Sequence, residues 1–133
     1  MFHFIKKLAA RKWVPITWTL LTIVLLCIPG SAFPGGGLFR IPHFDKVVHI
    51  VLFGGVVWWW VLYFDSLQAN ELIPRNKILV IVCLTVALGI ALEFVQLNFI
   101  PNRSFDTGDI YANAAGSILA AIFVSVLPAW RLR

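Results

Sequence analysis

The chain has 133 residues, 60% of them apolar and 13% charged, with a formal net charge of +5 at pH 7 and a mean hydropathy of +0.88. That composition excludes an ordinary soluble domain and points to a bilayer. At about 20 apolar residues per crossing of a hydrocarbon core about 30 Å thick, roughly four helical crossings fit, so a single membrane domain over residues 1–133 is expected.

The chain opens on the basic stretch MFHFIKKLAARK, followed by an apolar run over about 14–30 and the small residues GSA. This order resembles a secretory signal peptide with its cleavage site. A retained first membrane helix is the expectation instead, because the run is long for a signal peptide and Pro29 and Pro34 crowd the cleavage position. The loop that follows carries Gly35, Gly36 and Gly37 between Pro34 and Pro42. It reads as a slack tether in preference to a lid. The second helix is expected over 47–64, VVHIVLFGGVVWWWVLYF, with Trp58, Trp59, Trp60 and Tyr63 as an interfacial aromatic belt. The third is expected over 78–97 and the fourth over 110–127, with Pro-, Asn- and Ser-bearing connections between them. None of the four alternates apolar and polar residues at period two, so a barrel is not expected. The predicted fold is an all-α bundle of four transmembrane helices.

Loop charges orient it. Lys6, Lys7, Arg11, Lys12, Arg75, Lys77, Arg131 and Arg133 fall on one side, and Arg40, Lys46 and Arg103 on the other. Cytoplasmic loops carry the excess of Lys and Arg, so both termini are expected in the cytoplasm. Topology and anionic lipid then explain the net charge, and no nucleic-acid partner is expected. Cys27 and Cys83 lie near opposite ends of their helices, too far apart for a disulfide, and are read as small buried apolar residues. No Cys/His spacing indicates zinc.

The polar residues are distributed unevenly. Asp45 and His49 open the second helix, Glu93 and Gln96 close the third, Arg103 and Asp106 lie in the next loop, and Asp109 and Asn113 open the fourth. All are expected at the extracytoplasmic end. Spacings of i, i+4 and i, i+3 put each helical pair on one face, so three helices can aim polar groups at one point. Gly89, Gly116 and Ala120 continue those stripes with small side chains that permit close helix approach. Taken singly, each residue has a plainer reading. Asp45, Asp106 and Asp109 could be N-caps, His49, Gln96 and Asn113 interhelical glue, and Arg103 an interfacial anchor. Caps alone would be spread over both ends, and intramembrane ionisable groups are functional by default, so a site is expected.

The segments DKVVH at 45–49, EFVQ at 93–96 and NRSFDTGDIYANAAG at 102–116 resemble, in order and along the whole chain, the signature D-K-x-x-H, E-x-x-Q, R-x-x-x-x-x-D and N-x-x-G of the VanZ-like family. These are small bacterial integral-membrane proteins, the founding member being associated with low-level resistance to the glycopeptide teicoplanin. The resemblance implies a multi-pass protein of the bacterial cytoplasmic membrane. It also implies kinship with enzymes that process phosphate-bearing lipid head groups, with a membrane lipid or lipid-linked envelope precursor as partner. On that reading His49, Glu93, Asp45 and Asp109 are the catalytic candidates, with His49 as base or nucleophile and a protonated carboxyl group serving the leaving group. Arg103, Lys46, Gln96, Asp106 and Asn113 are the substrate-binding candidates, Arg103 clamping phosphate with Lys46 as a point charge. No metal-ligand set is assigned, although Asp106 and Asp109 could hold a divalent cation together with the phosphates. The alternative is a non-catalytic protein that binds a head group or a partner membrane protein and modulates envelope chemistry or glycopeptide sensitivity. An ion conductor is disfavoured, because no ionisable group is expected at mid-depth.

Overall fold

The computed structural model describes residues 2–29, 32, 42–68 and 72–126. The glycine-rich loop from 33 to 41, with Arg40, lies outside the described residues, as do Leu127, the last residue expected in the fourth helix, and Arg131 and Arg133. Five helices follow in order: α1 Phe2–Ala9, α2 Trp13–Leu26, α3 Phe44–Ser66, α4 Arg75–Phe99 and α5 Thr107–Val126, with no strand among the described residues. The all-α expectation holds. Helices α3, α4 and α5 are long and apolar enough to cross a membrane. They begin within three residues of the predicted starts.

The first predicted crossing is corrected. Its apolar residues continue to Ile28, but α2 stops at Leu26, and α1 forms a separate short helix ahead of it. At 1.5 Å per residue, α2 spans about 21 Å, less than a hydrocarbon core. Pro29 supplies the physical reason, because the residue before a proline is pushed out of the helical region and the last turn unwinds ahead of it.

The surface and interior show how the chain meets its surroundings. Leu79, Val80, Leu84, Leu119 and Ile122 are exposed, whereas His49, Glu93, Gln96 and Asn113 are buried. Apolar side chains outside and polar ones inside are the arrangement of a bundle whose solvent is hydrocarbon. The molecule is therefore a multi-pass membrane bundle. Cys83 belongs to the exposed set and Cys27 is half-buried, both as free thiols. This corrects the expectation that Cys83 is buried.

Two apolar clusters hold the bundle together. One joins Val57, Val61, Ile73, Ile78, Ile81 and Val124, and the other joins Leu26, Leu52, Phe53 and Leu92 nearer the polar end. Helices α3 and α5 make the most extensive pairing. Glycine permits it: a Cβ at Gly116 would fall within the backbone of Ile50, 2.8 Å from its Cα, and one at Gly54 would stand 3.2 Å from the Gly116 carbonyl oxygen. On the other side of α3, Gly55 receives the indole of Trp18, whose Nε1 donates to the Leu52 carbonyl at 3.0 Å. The aromatic run also binds inward, since Trp60 Nε1 donates to Thr19 Oγ1 at 3.1 Å.

At the end opposite the polar cluster, Asp65 is buried, and its carboxylate accepts the Ile73 N–H at 3.0 Å. This residue closes the connection between α3 and α4. It carried no signal in the sequence beyond its charge.

Candidate functional site

The polar end is built from the first turns of α3 and α5, the last turns of α4 and the loop between α4 and α5. That loop begins with a turn, in which the Arg103 N–H donates to the Ile100 carbonyl at 3.3 Å. Pro101 occupies its second position and Asn102 its third, with φ of 59°, a conformation that Asn tolerates better than most residues. The chain then runs to Asp106, whose Oδ1 accepts the Gly108 N–H at 2.7 Å and so caps α5. Glu93 fixes the same point from below, because its Oε2 accepts the Asp106 N–H at 3.1 Å.

Lys46 sits among three carboxylates. Its Nζ lies 3.0 Å from Asp45 Oδ2 and 2.7 Å from Asp109 Oδ1, and it also pairs with Asp106 Oδ2. Gly108 leaves room for the lysine stem, since a Cβ there would stand 2.8 Å from Lys46 Cε. Asp45 and Asp109 thus face an ammonium group, and Asp106 is the one of the three possible caps that stands directly ahead of its helix and accepts a first-turn N–H. The Asp106 carboxyl is held below its ordinary range, first by the hydrogen bond from Lys46 and then by the Gly108 N–H.

One turn deeper lies His49. Its Nδ1 is 2.8 Å from Asn113 Oδ1, and an amide oxygen can only accept, so the ring proton resides on Nδ1. Nε2 faces the other way, where Asp109 Oδ2 lies 3.6 Å off. One ligand atom each from His49, Glu93 and Asp109 lie within 4.8 Å of one another. This trio is closed off from the surface, with Glu93 1% and His49 2% exposed. Asn113 Nδ2 is buried and has no hydrogen-bond partner among the described residues. It faces Gly89 of α4, where a Cβ would come within 2.8 Å of it.

Seven of the nine candidate residues thus share one constellation: Asp45, Lys46, His49, Glu93, Asp106, Asp109 and Asn113. The other two turn toward α2. Gln96 Nε2 donates to the Leu26 carbonyl at 2.8 Å, and Arg103 Nη2 reaches the Ile28 carbonyl at 3.5 Å. Both address carbonyl groups that the end of α2 leaves without helical partners. Lys46 is no open point charge either, because its ammonium is already surrounded.

This constellation bears the sequence signature noted above, and the comparison with known families agrees. No curated protein and no solved structure matches the chain. The profile of the VanZ/LLP1 family matches residues 1–128, which take in every residue of the constellation, and the chain belongs to that family.

Proposed function

We propose that this chain processes phosphate-bearing lipid or lipid-linked envelope head groups at the outer face of the bacterial cytoplasmic membrane, with both termini in the cytoplasm. The loop-charge count supports this orientation. A head group is the part of a lipid that reaches the level of helix ends, where this constellation lies, while its acyl chains stay among apolar residues such as those α4 and α5 expose.

The observation that carries the proposal is the buried trio. Nε2 of His49, oriented through Nδ1 by Asn113, opens toward Asp109 and Glu93. Three basic groups in one water-poor place suit the removal of a proton from an attacking hydroxyl. In the hydrolytic case the water oxygen bonds to phosphorus, its proton passes to the trio, and the bond from phosphorus to the leaving oxygen breaks. That oxygen departs with a proton from a protonated acid in the site or from water. In the transfer case an alcohol replaces the water.

Purified protein in lipid nanodiscs, given labelled lipid phosphates and lipid-linked pyrophosphates, tests the reading. Wild-type protein should turn over at least one class, and His49→Ala and Glu93→Gln should lose that turnover. Equal rates in all three would overturn it. An envelope phenotype that survives Glu93→Gln, in the absence of turnover, would favour the binding role instead.

A further inference from the structure

The trio poses an electrostatic problem that Lys46 does not solve. Four carboxylates, Asp45, Glu93, Asp106 and Asp109, meet a single lysine, which pairs with every one of them except Glu93. His49 Nε2 and Asp109 Oδ2 stand 3.6 Å apart, beside the carboxylate of Glu93. A buried carboxylate without a paired cation is costly.

We infer that His49, Glu93 and Asp109 bind one divalent transition-metal cation, with Asn113 as the positioning residue that turns Nε2 toward it. The spacing suits an ion. Ligands about 2.0–2.2 Å from a metal stand roughly 3–3.6 Å apart when adjacent and about 4.2 Å apart when opposite, and the three ligand atoms lie within 4.8 Å of one another. Imidazole with two carboxylates suits zinc, manganese or iron, whereas magnesium and calcium prefer oxygen alone. Asp45, Asp106 and Asp109 have equally close oxygens, but the Lys46 ammonium already serves as their cation. The buried Asn113 Nδ2 supplies an independent sign of a ligand. It is a buried donor with no acceptor among the described residues, and it faces Gly89, one helical turn from Glu93 on α4.

The inference rests on this geometry and not on the head-group reading. With such a cation bound, His49 would serve as a ligand instead of the base, and the cation would make the attacking water easier to deprotonate.

The test is metal binding by the full chain in detergent, stripped with EDTA and then titrated with Mn²⁺ followed by electron paramagnetic resonance, and with Zn²⁺ by calorimetry. One equivalent should bind to wild-type protein. His49→Ala and Asp109→Asn should lose it. Glu93→Gln, which keeps the side-chain shape, should weaken it at least tenfold, a check that survives if His49→Ala fails to fold. Asn113→Ala should weaken binding about 10–100-fold, as loss of a group that orients a ligand does, and Asn113→Asp, which can still accept the Nδ1 proton, should restore it. His43→Ala, at the exposed start of α3, should change nothing. Stoichiometry that is zero in wild-type protein, unchanged by Glu93→Gln or abolished by His43→Ala would overturn the inference. Binding without turnover would retain the cation site and sink the head-group reading. Turnover that persists after EDTA, in protein that binds no metal, would do the reverse.

Discussion

Replacing Gly116 by alanine tests the packing that places the site. The added Cβ would stand 2.8 Å from the Cα and 2.9 Å from the carbonyl carbon of Ile50, and closer still to its oxygen. These are backbone atoms and cannot rotate away, so α3 and α5 must separate by roughly 1 Å to reach ordinary contact. Overpacking of this kind costs about 1–3 kcal/mol. The displacement is also felt above Gly116. Asn113 and Asp109 lie one and two turns along α5, and they would move away from His49 and Lys46, whose bonds to them measure 2.8 and 2.7 Å. The assay is equilibrium denaturation in detergent, with Gly54→Ala as the comparison because its Cβ meets the Gly116 oxygen at 3.2 Å, a tight contact that a smaller shift relieves. Gly116→Ala should be the less stable variant by about 1–2 kcal/mol, within the overpacking range. Equal stability of the two variants would refute the claim that the motif glycine is required by helix approach.

Other expectations follow from the charges and the end of α2. Lys46→Ala removes the ammonium that Asp45, Asp106 and Asp109 share and should cost about 1–3 kcal/mol, between the values for exposed and for buried pairs. Asp45→Asn should recover part of that loss in the double variant, as denaturation midpoints would show. Asp106 has a folded-state pKa depressed below its ordinary 3.8, so its contribution is fully present above that value and fades as pH falls through the folded-state value. The stability gap between wild-type protein and Asp106→Asn should therefore be constant near neutrality and close as pH falls below the ordinary 3.8 and through the folded-state value; a gap that persists once Asp106 is protonated would contradict the Lys46 pairing. Gln96→Leu leaves the Leu26 carbonyl without its side-chain donor, and maleimide labelling of the neighbouring half-buried Cys27 should speed up severalfold. An unchanged labelling rate would mean that Gln96 does not hold the end of α2.

Much of this architecture was legible in the sequence, because apolar runs long enough to span a bilayer carry their own boundaries. The i, i+4 pairs Asp45 with His49 and Asp109 with Asn113 fixed which polar groups share a face, and the structure brings those faces together. What periodicity cannot convey is which partner a long side chain chooses across the bundle. Arg103 and Lys46 both read as open cations for phosphate, yet one reaches the Ile28 carbonyl and the other is enclosed by carboxylates. Gln96 shares a face with Glu93 but serves the shortened α2. That shortening followed from Pro29, whose effect was weighed for cleavage and not for helix length. The separation of α1 from α2 had no clear signal in a basic start followed by an apolar run. The sequence assigns no metal-ligand set and allows only that Asp106 and Asp109 could share a cation, whereas the fold shows that Lys46 pairs with both of them and that Glu93 and His49 approach Asp109 as well.

The most direct measurement of the central claim is the fate of oxygen. Purified protein in nanodiscs is supplied with a lipid phosphoester in ¹⁸O-labelled water, and the released phosphate or phosphorylated head group is analysed by mass spectrometry. The account predicts incorporation of ¹⁸O into the product by wild-type protein and none above background by His49→Ala. Incorporation that does not depend on His49, or no product from any phosphate-bearing lipid in water or in the presence of an acceptor alcohol, would contradict it.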